Sequence, residues 1–156
     1  MVKIDIPGFG QMVLSDMVLD YNGTLAVDGK LRSGVAEKLN VLAGQISVHV
    51  ITADTFGSAA SNLANVNCTL HVLPPGNQAA AKQAYVNSFD AEHTVAIGNG
   101  RNDQLMLQTA AIGIAVLLNE GVSFEAARSA NILVRDIGDA LDLLLYPLRL
   151  KATLRS

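Results

Sequence analysis

From residue 17 onward the chain repeats one pattern, a short apolar run followed by a segment with helical spacing. The apolar runs fall at 17–20, 46–51, 67–73, 94–97, 112–117 and 132–134, and the helical segments at 33–43, 58–64, 77–89, 104–110, 124–130 and 139–145. Short apolar runs bounded by small or turn-forming residues read as strands, and longer runs with apolar residues three and four apart read as helices. This alternation constrains the fold strongly, because parallel strands need a crossover and a helix is the usual one. The fold class is therefore α/β, a three-layer α/β/α sandwich around a central parallel sheet. Half the residues are hydrophobic but only 4% are aromatic. Ala, Val, Leu and Ile must then fill the core, as in sheets covered on both faces.

Local signals refine the outline. Val2-Lys3-Ile4-Asp5-Ile6 alternates apolar with charged residues, Pro7-Gly8-Phe9-Gly10 is a turn, and residues 11–14 return as a second strand. Together they predict an N-terminal β-hairpin. Residues 21–31 hold Gly23, Asp28 and Gly29, which suit a loop or small flap. Ser33 is placed to cap a helix whose apolar face is Val35, Leu39 and Leu42, with Gly44 closing it. Asn77 is placed to cap another. No internal repeat, low-complexity tract or linker divides residues 1–156. They read as one domain, with a hairpin at 2–14, a core at 17–145 and a tail at 146–156 that docks as a short helix or frays.

Composition narrows the function. The formal net charge is −3 and no basic run occurs, which argues against nucleic-acid and anionic-membrane partners. No apolar stretch reaches the roughly 18 residues needed to span a bilayer, and the first ten residues lack a signal-peptide pattern. The one cysteine, Cys68, has no internal partner, so a cytoplasmic setting is expected.

Polar residues collect where strands end. Asp20 closes the run 17–20, Thr52, Ala53 and Asp54 follow 46–51, and Gly98-Asn99-Gly100-Arg101-Asn102-Asp103 follows 94–97, while Lys82 lies within a helix. Ligands of open α/β sheets bind beyond the carboxyl ends of strands. Asp20 by itself suits a turn equally well. As a set, these residues match the needs of phosphoryl transfer, namely a nucleophile, donors for phosphoryl oxygens, a cation and oxygen ligands for Mg²⁺. The N–H groups of Gly23 and Thr24 are placed to face an anion. Asp54 and Arg101 are either substrate contacts or surface charges. His49 reads as a packed strand residue, His71 and His93 lack ligand-like spacing, Cys68 reads as a small buried hydrophobe, and the leucines at 141 and 143–145 read as core.

Asp20-Tyr21-Asn22-Gly23-Thr24 resembles the first motif of the haloacid dehalogenase (HAD) superfamily. Thr52, Lys82 and the 98–103 loop resemble its second, third and fourth motifs, in the same order. Residues 75–130 also resemble the phosphorylation domain of P-type ATPases, through Lys82, the 98–103 loop, Met106-Leu107, the run 111–115 and Glu125-Ala126-Ala127. The resemblance covers 18–145 and implies a HAD-type fold and a phosphohydrolase of the soluble, P-type-ATPase-like branch. It implies that Asp20 is the nucleophile and a Mg²⁺ ligand. Asn22 takes the place of the general acid/base, with its main-chain carbonyl on the metal. Thr52 and the N–H of Ala53 hold phosphoryl oxygens, with Gly23 close by, and Lys82 neutralises charge. Asn99 and Asp103 complete the metal site, and Gly98, Gly100 and Asn102 support the loop.

Two departures from the family pattern stand out. Asn22 replaces an Asp, and an amide neither gives nor takes the proton. General acid–base help is worth about 10²–10⁴-fold, so ester hydrolysis is expected to be slow. Leaving groups that depart unprotonated, such as a nucleoside diphosphate or the carboxylate of an acyl phosphate, suffer less. Asn99 also replaces an Asp and removes a charge from the metal site. The intervals from Asp20 to Thr52 and from Thr52 to Lys82 are each about 30 residues, too short to add a domain of about 50. No cap domain is expected, and the site should be open unless the hairpin, the 21–31 flap or a partner in a homo-oligomer covers it. The expected ligand is a small phosphorylated substrate or a nucleotide. The alternative is a phosphate- or nucleotide-binding protein that has lost turnover.

Overall fold

The structure, a computed structural model, describes residues 1–53 and 57–156. Its centre is a six-stranded sheet. The strands are β3 (Asp16–Asp20), β6 (Ser47–Thr52), β7 (Thr69–Val72), β8 (Thr94–Gly98), β9 (Ile112–Val116) and β10 (Ile132–Val134). They run parallel in the spatial order β10-β9-β8-β3-β6-β7. From β3 the chain moves to β6 and β7 on one side, then crosses back to build β8, β9 and β10 on the other. The order therefore reverses between β3 and β8, where an open α/β sheet leaves a crevice for a ligand.

Alternation along β3 assigns its side chains to two faces. Val18 packs in a cluster with Ile51, Val86, Ala96, Met106 and Ala126. That face is covered by α3 (Gln78–Asn87), α4 (Gln104–Thr109) and α5 (Phe124–Ser129). Met17 and Leu19 join the larger cluster with Leu39, Leu42, Leu141 and Leu144, under α1 (Val35–Ala43) and α6 (Ile137–Leu145). The leucines at 141, 143 and 144 are core, as expected, while Leu145 is only partly buried. A short helix, α2 (Ser58–Asn62), precedes β7 and contributes Ala59 to the larger cluster.

The N-terminal hairpin forms from β1 (Val2–Ile6) and β2 (Gly10–Leu14), with Val2 opposite Leu14 and Ile6 opposite Gly10. It sits at the amino end of the sheet. Ser15 N donates to His93 O, just before β8, and Ser47 N, at the start of β6, donates to Ser15 O. Asp20 lies at the far end of β3, about 13 Å of strand away. The expectation that this hairpin covers the site is therefore corrected. It builds core instead, with Val2 and Ile6 buried in the same cluster as Leu150 of α7 (Pro147–Leu154). The tail docks as that helix, and Ser156 N donates to Pro7 O.

Between β3 and α1 lies only a miniature hairpin, β4 (Ala26–Val27) with β5 (Lys30–Leu31), so no domain is inserted there. Its base is core, since Tyr21, Leu25 and Ala26 are fully buried. Ser33 does not cap α1. The N-cap is Gly34, at φ 77°, with no side-chain cap bond. The chain enters α1 through a left-handed turn that glycine adopts without a steric cost. Asn77 does cap α3, accepting from Ala80 N. Cys68 is half-buried at the core's edge rather than enclosed. No helix among the described residues is long and apolar enough to cross a membrane.

Candidate active site

Asp20 ends β3 at the crevice, and the β8 and α3 elements bring its partners to it. Lys82, one turn inside α3, is only 1% exposed, which is rare for a helical lysine. Its Nζ donates to Asp20 Oδ1 and to Asp103 Oδ1, both at 2.6 Å. One ammonium thus serves two buried carboxylates and leaves the trio one negative charge in excess when all are ionised. Burial, and then the nearby Asp103 charge, push the Asp20 carboxyl up to about 7, against the opposing pull of Lys82 and the Thr24 hydroxyl. Desolvation pulls Lys82 down, but the two carboxylates outweigh it and hold its ammonium above the ordinary lysine value.

Asp103 is fully buried beneath the loop after β8. Its Oδ2 accepts from Asn99 N at 3.0 Å and Gly100 N at 2.8 Å, so both oxygens are engaged in holding the loop and Lys82. Gly98 is required for this packing, because a Cβ there would lie 2.6 Å from Asp103 Cγ. Asn102 Nδ2 donates to Gln78 Oε1 and ties the loop to α3. Thr24 Oγ1 is 3.2 Å from both Asp20 Oδ2 and Asn99 Oδ1, and Asn99 Nδ2 donates to Gly121 O.

Asp20, Asn22, Ala53, Lys82, Asn99, Gly100 and Asn102 line one cleft of about 290 Å³. Thr52 is buried at the end of β6, immediately before Ala53. Asp54 lies outside the described residues. The N–H groups of Gly23 and Thr24 do not face the cleft's ligand space as donors. Gly23 N donates to Ala26 O and Thr24 N to Tyr21 O, so the turn's own carbonyls take them. Arg101 is largely exposed and lies 3.6 Å from Glu125, beside an adjoining groove that shares Gln78 and Asn102 with the cleft. None of the histidines lines the cleft. His49 bonds Asp16 and Tyr85, His71 stacks on Tyr85, and His93 bonds Asp90.

Two residues were missed in the sequence. Gln78 and Glu120 also line the cleft. Glu120 lies beyond the carboxyl end of β9, followed by Gly121. A carboxylate past another strand end was the available signal.

The donors present fit a hard divalent cation. Asp20 offers a carboxylate, Asn22 a main-chain carbonyl and Asn99 an amide oxygen, and the excess negative charge beside Lys82 favours a cation. Among the described residues no group of three or more His, Cys, Asp or Glu side chains is arranged to hold a metal. The site would depend on one carboxylate, neutral oxygens and water, a set Mg²⁺ accepts.

No profile of a known family matches the chain. The uncharacterized protein MJ0073 of Methanocaldococcus jannaschii is 44% identical over 84 residues, covering 51% of this chain and 90% of that protein. The chain belongs to the same family as MJ0073. Its fold is that of HAD-superfamily hydrolases. A HAD-superfamily (subfamily III A) hydrolase structure from Legionella pneumophila superimposes with a TM-score of 0.71 at 16% identity, over 90% of this chain and 86% of that one. The 3-deoxy-D-manno-octulosonate 8-phosphate phosphatase of Moraxella catarrhalis, in complex with magnesium, phosphate and its sugar acid, superimposes with a TM-score of 0.70 at 14% identity. That match covers 85% of this chain and 86% of the phosphatase.

Proposed function

We propose that this chain is a Mg²⁺-dependent phosphohydrolase that acts through a phospho-aspartate at Asp20. The observation that carries the reading is the buried trio of Asp20, Lys82 and Asp103. Burying three ionisable groups is costly for folding alone, whereas a nucleophile and a charge-neutralising ammonium at 2.6 Å serve phosphoryl transfer. Asp20 Oδ attacks phosphorus and the bond to the leaving oxygen breaks. Lys82 offsets the charge on the phosphoryl group, aided by Thr52 and the N–H of Ala53. Water then attacks the phospho-enzyme and regenerates Asp20. Asp20, the Asn22 carbonyl and Asn99 would hold Mg²⁺, which supplies charge neutralisation to the phosphoryl oxygens when bound. Asp103 acts from below, positioning Lys82 and the loop. Asn22 and the 98–103 loop favour the P-type-ATPase-like branch, and with it substrates whose leaving group departs without a proton. The fold's likeness to a phosphatase of a small sugar-acid phosphate supports a small phosphorylated substrate. The open cleft suits coverage by a second copy in a homo-oligomer, in a cytoplasmic setting.

Asn99 favours a second reading, a binding protein that has lost turnover, because its side-chain atoms are already bonded to Thr24 and Gly121. Phosphate release from ATP, acetyl phosphate and an aryl phosphate, with Mg²⁺, separates the two. Release that is lost in Asp20→Asn, and that rises about 10²-fold on the aryl ester in Asn22→Asp, is expected for the hydrolase. No release from wild type or Asn22→Asp, together with thermal stabilisation by phosphate or nucleotide, would establish the binding protein instead.

A further inference from the structure

We infer that Glu120 is the general base that activates water in the second half-reaction, taking the role that Asn22 cannot fill. The inference rests on the phospho-Asp20 reading and goes beyond it by naming a residue outside the four motifs. Glu120 lines the same cleft as Asp20 and Asn22. Its carboxylate lies against the nucleophile loop, since a Cβ built on Gly23 would stand 2.6 Å from Glu120 Oε2. Gly23 is the neighbour of Asn22, so the missing side chain of one residue makes room for the carboxylate that the next one lacks.

Glu120 is held there by the fold. It occupies the turn in which Gly121 N donates to Leu118 O, and that turn is clamped to the β8 loop. Asn99 Nδ2 donates to Gly121 O at 3.1 Å, and Ser123 N donates to Asn99 O at 2.9 Å. Its carboxylate is also available. Asp20 and Asp103 are both committed to Lys82, and Arg101 lies beside Glu125. Among the described residues Glu120 is the cleft-lining carboxylate with no hydrogen-bond or ion-pair partner, and it is exposed to the solvent that supplies the water.

In the proposed step a water oxygen bonds to the phosphorus of phospho-Asp20. The P–Oδ bond breaks and its electron pair returns to the Asp20 carboxylate. The proton leaving the water passes to Glu120 Oε and then to solvent. Formation of the phospho-enzyme does not need this residue when the leaving group departs unprotonated.

Rapid-quench experiments with radiolabelled acetyl phosphate and Mg²⁺ test the assignment by following phospho-enzyme and free phosphate separately. Glu120→Gln should phosphorylate at the wild-type rate, dephosphorylate about 10²-fold more slowly, and accumulate hydroxylamine-labile phospho-enzyme. Adding Asn22→Asp to Glu120→Gln should restore dephosphorylation. Dephosphorylation of Glu120→Gln at the wild-type rate, or equal slowing of both half-reactions, overturns the role of Glu120 while leaving phospho-Asp20 intact. A wild type that forms no labelled enzyme, as Asp20→Asn should not, overturns the nucleophile reading and this inference together.

Discussion

Asp20 couples the site's chemistry to the stability of the chain. Its carboxyl, raised from 3.8 to about 7, binds a proton more tightly in the folded than in the unfolded state. Its stabilising contribution is complete below the unfolded value and is lost as pH rises through the folded one. Without metal, Asp20→Asn should therefore stabilise the protein at pH 8, by on the order of 1–3 kcal/mol, and change little at pH 4. Mg²⁺ held at the proposed site would compete with that proton, so its stabilisation of the wild type should grow from pH 6 to pH 8. Thermal melts across this range check both, and an equal gain for Asp20→Asn at pH 4 and pH 8 would contradict the account. At this scale Asp20 and Lys82 were legible only through the order of the motifs. That Lys82 is buried, and that one lysine serves two carboxylates, depends on residues brought together from β3, α3 and the β8 loop. The Gly23 and Thr24 donors were misread because sequence does not reveal which nearby carbonyls a turn will use first.

The elements themselves were largely written in periodicity. The six parallel strands and the helices between them fall close to the apolar runs and helical segments of the sequence. Caps were less legible, since Asn77 performs as its side-chain chemistry suggests whereas Ser33 yields to a left-handed Gly34. One close helix–sheet approach was not legible at all. A Cβ on Gly113 of β9 would stand 2.3 Å from Leu107 O, so α4 packs its main chain directly onto the strand. Gly113→Ala should cost about 1–3 kcal/mol by denaturant unfolding. Because α4 follows directly from Asp103, the displaced helix should also weaken phosphate release. Gly44→Ala, at φ −72° with ordinary space around it, should stay within about 0.5 kcal/mol. Equal costs for the two would remove the case for main-chain packing at Gly113.

At the scale of the whole molecule, the sheet separates folding from chemistry. The hairpin and α7 consolidate the amino ends of the strands, and the cleft opens at their carboxyl ends. Leu150, fully buried between them, should cost about 2–5 kcal/mol when changed to Ala. The phosphate release per folded molecule should be unchanged, because the perturbation lies at the other end of β3. A loss of release out of proportion to the folded fraction, read by circular dichroism alongside the assay, would show that the two ends are coupled.

Local patterns determined the parallel α/β class, the absence of an inserted cap and the polar residues at strand ends, because strand alternation, helix spacing and interval length are properties of neighbouring residues. Tertiary structure alone decided three further points: that the hairpin lies away from the site, that Asp103 supports the loop from beneath, and that Glu120 leans over Gly23. Each depends on the spatial order β10-β9-β8-β3-β6-β7, which sets distant residues side by side. No short window of sequence carries that order, since it is fixed by how the two faces of the sheet bury their apolar surface together.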